Sequence, residues 1–235
     1  MIDWHCHILP HMDDGSRNVE ESLTLLKMLS EQGVDTAVAT PHFYADDETV
    51  DEFVNRRQRA YEKLSEALCD ASVKILTGAE VRYYSGISRL AGLEKLCIGD
   101  TDLLLLEMPM ERWTEYTVRE LVDIAGGGKV RLVLAHIDRY LTMQPSGTWQ
   151  RLYEAGITMQ VNGSFFEGFW TKRKAFSLLE KGGVHLIGSD CHNVRYRPPR
   201  LDKTYEKLRK KFGDELVTQL NEHGRSLLDT KFEYT

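Results

Sequence analysis

The chain has few cysteines and no long apolar run. Its four cysteines are widely spaced among 235 residues and form no CxxC pair, so the sequence predicts no disulfide framework. No apolar stretch approaches the length of a membrane span, and the N-terminus lacks a basic segment followed by an apolar one. These absences favour a reducing, cytoplasmic location without direct membrane insertion.

The chain has no excess of positive charge and little linker sequence. The formal net charge is −6, whereas domains that bind a nucleic acid backbone are usually basic. We therefore expect no nucleic acid partner. The longest glycine and proline clusters, at residues 126–128 and 198–199, are single breaks between periodic segments rather than flexible spacers. The sequence predicts one domain over residues 1–235.

Strand and helix patterns alternate along the chain. Short apolar or β-branched segments predict strands at residues 1–8, 36–40, 73–77, 102–107, 130–135, 157–161 and 184–188. Helical spacing predicts helices that begin near Asn18 and Thr49, a short helix at 87–96, helices at 116–125 and 171–181, and a final amphipathic pair after residue 200. This alternation implies parallel strands, either in a closed barrel or in an open sheet.

Metal-binding side chains are concentrated near the N-terminus. Asp3, His5 and His7 alternate along the first predicted strand, so we expect all three on one face. Two imidazoles at this spacing suit one or two cations, and Asp13 and Asp14 can fold back to add carboxylate oxygen. The alternative is a surface edge strand with chance histidines.

Each later predicted strand also ends at a polar residue that suits metal binding. These residues are His42, Glu80, Glu107, His136, Asn162, and the pair Asp190 and His192. A lone histidine or glutamate at a strand end is more often a cap or a solvated loop residue. In a barrel, however, the carboxyl ends of the strands converge on one mouth. So many coincidences favour a barrel with a polynuclear metal centre in its mouth.

The same motifs resemble the polymerase and histidinol phosphatase (PHP) superfamily. The resemblance is carried by DxHxH at residues 3–7, PH at 41–42, GxE at 78–80, AH at 135–136 and SDxH at 189–192, and it covers essentially the whole chain. The segments HCHILPHMDDG, ATPHFY, HIDRY and SDCHN look most like the bacterial capsule-biosynthesis protein-tyrosine phosphatases. This resemblance implies an α/β fold, a single-domain distorted seven-stranded (β/α)7 barrel with the metal site at the C-terminal ends of the strands. It also implies a cluster of two or three ions, usually Mn2+, with iron or zinc as alternatives.

By position, the resemblance assigns nine metal ligands. They are His5, His7, Asp14, His42, Glu80, Glu107, His136, Asp190 and His192, and for Glu107 the nearby Glu111 is a competitor. Nitrogen and carboxylate donors without a thiolate suit a hydrolytic site. Ions about 3.5 to 4 Å apart hold a bridging hydroxide for in-line attack on a phosphate ester. Asp3 is interpreted as an acceptor that orients an imidazole from outside the ligand set.

Arg139 and Arg197 are the candidate catalytic residues. Both lie in loops at the predicted mouth, where a guanidinium can bind phosphoryl oxygens, and both match arginines of the resembled phosphatases. Arg195 and Arg200 are interpreted as solvated charges. The basic run at residues 203–211 is interpreted as the polar face of a helix, with docking of an acidic tail as the alternative.

The activity expected first is metal-dependent hydrolysis of phosphotyrosine on a protein. The resemblance points to the tyrosine-rich tail of a membrane-associated bacterial capsule or exopolysaccharide tyrosine kinase as the partner. The alternatives are a small-molecule phosphatase, such as one for histidinol phosphate, and a non-catalytic metal-stabilised scaffold. A cysteine mechanism is a further alternative, because residues 191–197 match CxxxxxR. Its loop contains no glycine, which disfavours it.

Two further groups of side chains, one aromatic and one of histidines and cysteines, lie outside the predicted ligand set. The aromatic side chains Phe165, Phe166, Phe169 and Trp170 either line a slot for a tyrosine ring or pack their loop onto the barrel. His185 and His223 are expected to be structural, and Cys6 and Cys191 are expected to turn their thiols away from the metals.

Overall fold

The computed structural model of the protein describes residues 1–68 and 72–229. The strands are β1 (Ile2–Cys6), β2 (Thr36–Ala39), β3 (His42–Phe43), β4 (Lys74–Thr77), β5 (Glu80–Arg82), β6 (Leu103–Glu107), β7 (Arg131–Leu134), β8 (Thr158–Asn162) and β9 (Leu186–Gly188). The helices are α1 (Val19–Glu31), α2 (Val50–Ala67), α3 (Glu115–Gly126), α4 (Ser146–Glu154), α5 (Lys172–Glu180), α6 (Leu201–Phe212) and α7 (Asp214–Asp229). No helix within these ranges is both long and apolar enough to cross a bilayer.

The strands pair in parallel, as the alternation of strand and helix predicts. One run of pairing has the order β1-β2-β4, and a second has the order β3-β5-β6-β7-β8-β9. Beyond these runs, β1 meets the chain that follows β9, because Asp190 N donates to His5 O at 2.7 Å and His7 N donates to Cys191 O at 2.8 Å. The α/β class with a curled sheet of parallel strands is therefore confirmed.

The second and third predicted strands match β2 and β4, but each is followed by a short additional strand that was not predicted, β3 and β5. β2 and β3 are separated at Pro41, and β4 and β5 are separated at Gly78. Proline lacks an N–H for the ladder, and a Cβ on Gly78 would lie only 3.0 Å from Ile98 Cγ1, so the chain bends past a close neighbour there. The described residues hold nine strand segments where the sequence pattern predicted seven.

The helices of the structure differ from the prediction in two places. The region 87–96 is not one helix but two 3-10 turns, Ile87–Arg89 and Leu93–Leu96, because Gly86 (φ +94°) and Gly92 (φ +79°) precede them in the left-handed conformation. Helix α4 was missed. It buries only Trp149 and Leu152, and Pro145 at its N-cap makes no side-chain capping bond, so its sequence signal is weak.

The helices predicted to begin near Asn18 and Thr49 have different caps. At α2, Thr49 and Glu52 form a complete capping box. At α1, the Asn18 side chain accepts from Glu21 N at 2.8 Å, but the Glu21 carboxylate turns to Arg17 instead of to the cap residue. Both caps satisfy amide groups of the first helical turn.

The core divides into a larger outer cluster and a smaller inner one. Along β6, Leu104 and Leu106 belong to the outer cluster and Leu103 and Leu105 to the inner one, as expected for a strand that is buried on both faces. Leu227 and Leu228 of α7 pack against the inner cluster. Helix α7 therefore covers the apolar interior of the curled sheet.

A register shift in β1 changes which side chains face inward. Asp3 pairs with Ala37 and Cys6 with Ala39, so three steps along β1 match two along β2. Trp4 belongs to the inner cluster, whereas Cys6 belongs to the outer one. Strict alternation would place Trp4 and Cys6 on the same side of the sheet. The extra residue in β1 therefore reverses the side to which the side chains after Trp4 point. The prediction that Asp3 shares a face with both histidines was wrong.

Candidate metal centre

The structure brings all nine predicted ligands into one cluster. Among the described residues, four groups have donor atoms that lie within 4.8 Å of one another. They are His7, Asp14, His42 and His192; His5, His7 and Asp190; His5, Glu80 and His136; and His42, Glu80 and Glu107. The groups share members, so the nine side chains form one continuous cluster of donors rather than separate clusters.

Glu80 occupies the centre of this cluster. Its Oε2 lies 3.2 Å from His5 Nε2, 3.3 Å from His7 Nε2 and 3.0 Å from His42 Nδ1, while its Oε1 lies 2.7 Å from His136 Nε2. Glu80 begins β5, directly after the break at Gly78. A buried carboxylate between four imidazoles would be able to hold divalent cations together with them.

The two oxygens of Asp190 face different partners. Oδ1 lies 3.8 Å from His5 Nε2 and 3.6 Å from His7 Nε2, on the side of the metal cluster. Oδ2 accepts from Arg139 Nη2 at 2.5 Å and from Arg197 Nη2 at 2.7 Å. Asp190 therefore joins the imidazole cluster to both candidate clamp arginines.

Asp14 and Glu107 lie at the rim. The Asp14 side chain is 67% exposed, and its Oδ1 lies 3.5 Å from His42 Nε2 and 3.3 Å from His192 Nε2. Glu107 Oε1 lies 3.6 Å from His136 Nε2. Glu111 contributes to none of the four groups found among the described residues. The structure thus places Glu107, and not its competitor, in the cluster.

The electrostatics of the cluster fit bound cations. Burial raises the pKa of Glu80, but His5, His136 and His42 hold that pKa well below its usual range. Burial and the charge of His7 lower the pKa of His192 to about 4. Several buried atoms, including His42 Nδ1, Glu80 Oε2 and His192 Nε2, lie close to one another or to other donors of the cluster but form no hydrogen bond of suitable angle. Unpartnered imidazole nitrogen and an ionised central carboxylate are the donors that a divalent metal requires.

Asp13 supports the cluster from outside the ligand set. Its Oδ2 accepts from His7 Nδ1 at 2.7 Å and from His42 N at 2.9 Å. These bonds fix the ring of one predicted ligand and the backbone of another. The sequence pattern predicted Asp13 only as a possible carboxylate donor beside Asp14, so its orienting role was missed although its position next to Asp14 was a signal.

Asp3 does not orient an imidazole, contrary to the prediction. Its Oδ1 accepts from Ser189 N at 2.7 Å and from His5 N at 3.3 Å, and its Oδ2 accepts from Ser189 Oγ at 2.6 Å. The register shift in β1 is the reason, because it turns Asp3 away from the metal side. Burial raises the pKa of Asp3 to about 6. Asp3 instead connects β1 to the end of β9.

Other polar groups hold His136 in place. Gln160 Oε1 accepts from His136 N at 2.6 Å, and Tyr140 Oη lies 3.2 Å from His136 Nδ1. His136 (φ +33°) and Asp190 (φ +53°) both have left-handed backbone conformations. Such conformations cost free energy in non-glycine residues and tend to occur at functional sites. Asn162, predicted at a strand end, donates from Nδ2 to Asp190 Oδ2 at 2.8 Å.

A cavity of about 400 Å³ opens beside the cluster. Its lining includes Arg139, Arg197, Asp190, Tyr196 and Arg200. Both predicted clamp arginines therefore share one cavity. Arg200 is exposed, as expected for a solvated charge, and lies 3.9 Å from a carboxylate oxygen of Glu167.

The cysteine of the CxxxxxR segment is inaccessible. Cys191 is fully buried in the outer core cluster. In the same loop, Asn193 Oδ1 accepts from the backbone N–H groups of Arg195, Tyr196 and Arg197. Those amides are not free to surround a phosphate, as a thiolate mechanism requires. Cys6 also turns away from the cluster, since its thiol donates to Val38 O at 3.3 Å.

The aromatic loop packs partly inward and partly into solvent. Phe165 and Phe166 are buried, and Phe166 contacts Phe176 of α5. These two rings therefore cannot line a tyrosine slot. Phe169 and Trp170 are exposed. Of the remaining histidines, His185 contacts Tyr153 of α4 and His223 of α7, so both histidines pack among the helices, as expected for structural residues.

The fold and the site together define a class. The chain is an α/β protein of parallel strands that carries a candidate multinuclear metal centre at the carboxyl ends of those strands. The family model for capsular polysaccharide synthesis, CpsB/CapC, matches residues 1–227. The chain therefore belongs to the CpsB/CapC family, and the resemblance predicted from its motifs is confirmed.

Individual relatives extend this assignment. The chain is 32% identical over 235 residues to the tyrosine-protein phosphatase YwqE of Bacillus subtilis, covering 97% of this chain and 91% of that protein. A structure solved in work on YwqE and on CpsB from Streptococcus pneumoniae, described as metal-dependent tyrosine phosphatases, matches with a TM-score of 0.84 and 29% identity over 100% of this chain and 96% of the other. Histidinol phosphate phosphatase from Lactococcus lactis matches with a TM-score of 0.59 and 16% identity over 93% of each chain, which shows a shared fold.

Proposed function

We propose that the protein is a metal-dependent phosphatase that hydrolyses phosphotyrosine on a protein substrate. One observation carries the proposal: Asp190 turns one oxygen to the imidazole cluster and the other to Arg139 and Arg197. A phosphoryl group in the adjoining cavity would meet cations on both sides. The relatives that match along nearly the whole chain, described as tyrosine-protein phosphatases, support the same activity.

The residues of the cluster would have two kinds of role, metal binding and orientation of the metal-binding side chains. The nine clustered donors would hold two or three ions, for which we propose Mn2+ with iron or zinc as alternatives. Such ions, when bound, activate water and stabilise negative charge on phosphoryl oxygens. Glu80 would bridge ions from the centre, and Asp13 would keep His7 in the tautomer that binds through Nε2.

The arginines would bind and orient the phosphoryl group. Without substrate, each guanidinium contacts Asp190 Oδ2. A phosphate that enters the cavity presents more acceptor oxygens than that single atom, so the planar guanidinium groups can turn to it. Their contacts strengthen as negative charge builds up on those oxygens during reaction.

The proposal also covers the domain organisation, the location and the substrate of the protein. Residues 1–235 would form one domain whose strands close into a distorted seven-stranded (β/α)7 barrel, with β2 and β3 counted as one strand and β4 and β5 as another. The protein would work in the cytoplasm, where the buried free thiols of Cys6, Cys97 and Cys191 stay reduced. Its substrate would be the tail of a membrane-associated capsule or exopolysaccharide tyrosine kinase.

The test is a rate comparison with Mn2+ present. A phosphotyrosine peptide and histidinol phosphate are supplied at matched concentrations, and kcat/KM is measured for each. We expect the peptide to be preferred, and Arg139→Ala and Arg197→Ala each to lower kcat/KM by about 10²-fold, the usual cost of losing one donor to the transition state.

Arg195→Ala is the matched control, because Arg195 is exposed in the same loop. It should retain the wild-type rate. Preference for histidinol phosphate would instead favour the small-molecule alternative. The Lactococcus lactis histidinol phosphate phosphatase shares the fold of this chain. Loss of turnover in Cys191→Ser with metals still bound would favour the cysteine mechanism.

A further inference from the structure

An exposed aromatic pair lies beside the mouth of the site. Phe169 is 74% exposed and Trp170 is 85% exposed, and their rings meet edge to face with centroids 5.0 Å apart. The other tryptophans of the chain, Trp4, Trp113 and Trp149, are at most 9% exposed. Two adjacent large aromatic rings in water form a contiguous apolar patch, which usually marks an interaction surface.

Positive charge surrounds this pair although the net charge of the chain is −6. The next residues include Lys172, Arg173 and Lys174, all exposed and with no acidic residue among them. Lys172 Nζ lies 5.6 Å from the centroid of the Phe169 ring. Cations in the first turn of α5 oppose the helix dipole, so they do not serve helix stability.

Helix α6 adds further cations on the same side. Lys207 Nζ lies 3.4 Å from the carbonyl oxygen of Glu167, which places that strip of α6 beside the aromatic loop. Lys203 and Lys211 are one turn to either side of Lys207, on the same strip. The basic run at residues 203–211 therefore contributes to one surface with α5.

We propose that Phe169 and Trp170, with the cations of α5 and the lysine strip of α6, form a docking surface for a membrane rich in anionic lipid. Aromatic rings are favoured at the boundary between headgroups and acyl chains. Each nearby lysine or arginine adds attraction to an anionic bilayer. An acidic peptide would match the charges, but it would cover the two rings only if it also placed apolar side chains on them, whereas an anionic bilayer supplies both negative charge and apolar depth. The pairing of rings with cations therefore favours a bilayer.

The docking surface adjoins the candidate active site. Ser164 and Glu167 belong to the same loop as the aromatic pair, and they line the cavity that contains Arg139 and Arg197. A chain docked through Phe169 and Trp170 would hold that cavity near the headgroups. This inference goes beyond the proposed phosphatase function and does not depend on it.

The test is co-sedimentation of the full chain with two kinds of vesicle. One contains equal parts of phosphatidylglycerol and phosphatidylcholine, and the other contains phosphatidylcholine alone. We expect binding to the anionic vesicles only, weakened by salt. Because Trp170 is the exposed tryptophan, binding should also shift tryptophan emission to shorter wavelength. The Phe169→Ser/Trp170→Ser and Lys172→Glu/Lys174→Glu variants should each lower partitioning by about tenfold or more.

The matched control is Arg59→Glu/Lys63→Glu on α2, where both side chains are exposed. It changes the net charge as much as the α5 variant does, and it should bind vesicles like the wild type. Circular dichroism and the rate on a soluble phosphotyrosine peptide check that every variant is folded. Wild-type protein that stays in the supernatant with both vesicles would overturn the proposal, as would an equal loss of binding in the control. Retention by an acidic peptide without vesicle binding would also overturn it, in favour of a protein partner.

Discussion

At the scale of single residues, Asp190 and Glu80 connect the parts of the site. Glu80 reaches four imidazoles with two oxygens, and Asp190 separates its imidazole-facing oxygen from its arginine-facing one. Each of these carboxylates is buried, so it is tolerated only because cationic or polar groups surround it. The ring positions then depend on residues such as Asp13 that touch the ligands from outside.

Asp13→Asn tests this dependence at His7. An asparagine at this position loses the charged acceptor of the 2.7 Å bond from His7 Nδ1, so the ring is held less firmly and is a weaker donor. We expect the affinity for Mn2+ to fall by about 10- to 100-fold. Isothermal titration of the metal-depleted protein measures it.

Asp46→Asn is the control for that experiment, since Asp46 is an exposed acid outside the cluster. It should bind Mn2+ as the wild type does. An Asp13→Asn variant with wild-type affinity would show that the bond to His7 does not control metal binding.

At the scale of elements, the junction between β1 and β9 determines the shape of the site. A Cβ on Gly188 would lie 2.6 Å from His5 Cβ and 2.9 Å from His5 N, so β1 approaches β9 as closely as a glycine permits. The bonds from Ser189 to Asp3 and from Asp190 N to His5 O cross the same junction. The position of His5 is therefore coupled to the packing of two strands.

Gly188→Ala should separate these strands. The added methyl group meets backbone and Cβ atoms that cannot turn aside, so we expect a loss of about 1 to 3 kcal/mol in the free energy of unfolding together with weaker Mn2+ binding. Urea denaturation and metal titration measure the two effects. The control is Gly147→Ala in α4, where nothing lies within 4 Å of the added Cβ. It should be neutral or stabilising, and equal effects of the two substitutions would contradict the account.

His185, which directly precedes β9, should make the free energy of unfolding depend on pH. Burial and the facing His223 lower the pKa of His185, and its Nδ1 accepts from Met159 N at 3.0 Å. The unfolded chain therefore binds a proton that the native protein excludes, so stability is lost as the pH falls below about 6.5, the ordinary value for histidine.

His185→Asn checks that sign. The amide oxygen can still accept from Met159 N, but the side chain no longer titrates. We expect the stability of the variant relative to wild type to improve as the pH is lowered from about 7 to about 5, measured by urea denaturation at each pH. A stability difference that does not change with pH would refute the assignment.

The sequence predicted which side chains cluster at the strand ends better than it predicted the details of the strands. Residues such as His42, Glu80 and His136 were identified because the carboxyl ends of parallel strands converge, whatever the exact strand boundaries are. The role of Asp3 was mistaken because alternation assumes a regular register, and the shift in β1 appears only through its pairing with β2. Helix α4 was missed because it buries just two apolar side chains. Which oxygen of Asp190 meets which partner depends on contacts between residues far apart in the sequence.

At the scale of the whole molecule, apolar and polar interiors occupy opposite ends. The inner core cluster packs against α7, whereas the strand ends away from it carry the clustered imidazoles and carboxylates of the candidate metal centre. Packing therefore stabilises one end of the sheet without metal, and the other end gathers ionisable groups that bound cations would neutralise. On this account the chain should stay folded without metal while its active site fails.

The most direct test of the central claim is activity against metal content. The protein is treated with a chelator, the remaining metal is measured by mass spectrometry, and hydrolysis of a phosphotyrosine peptide is followed while Mn2+ is returned. We predict no activity in the metal-free protein and recovery in step with the binding of two or three ions per chain. Full activity in protein shown to be free of metal would contradict the account.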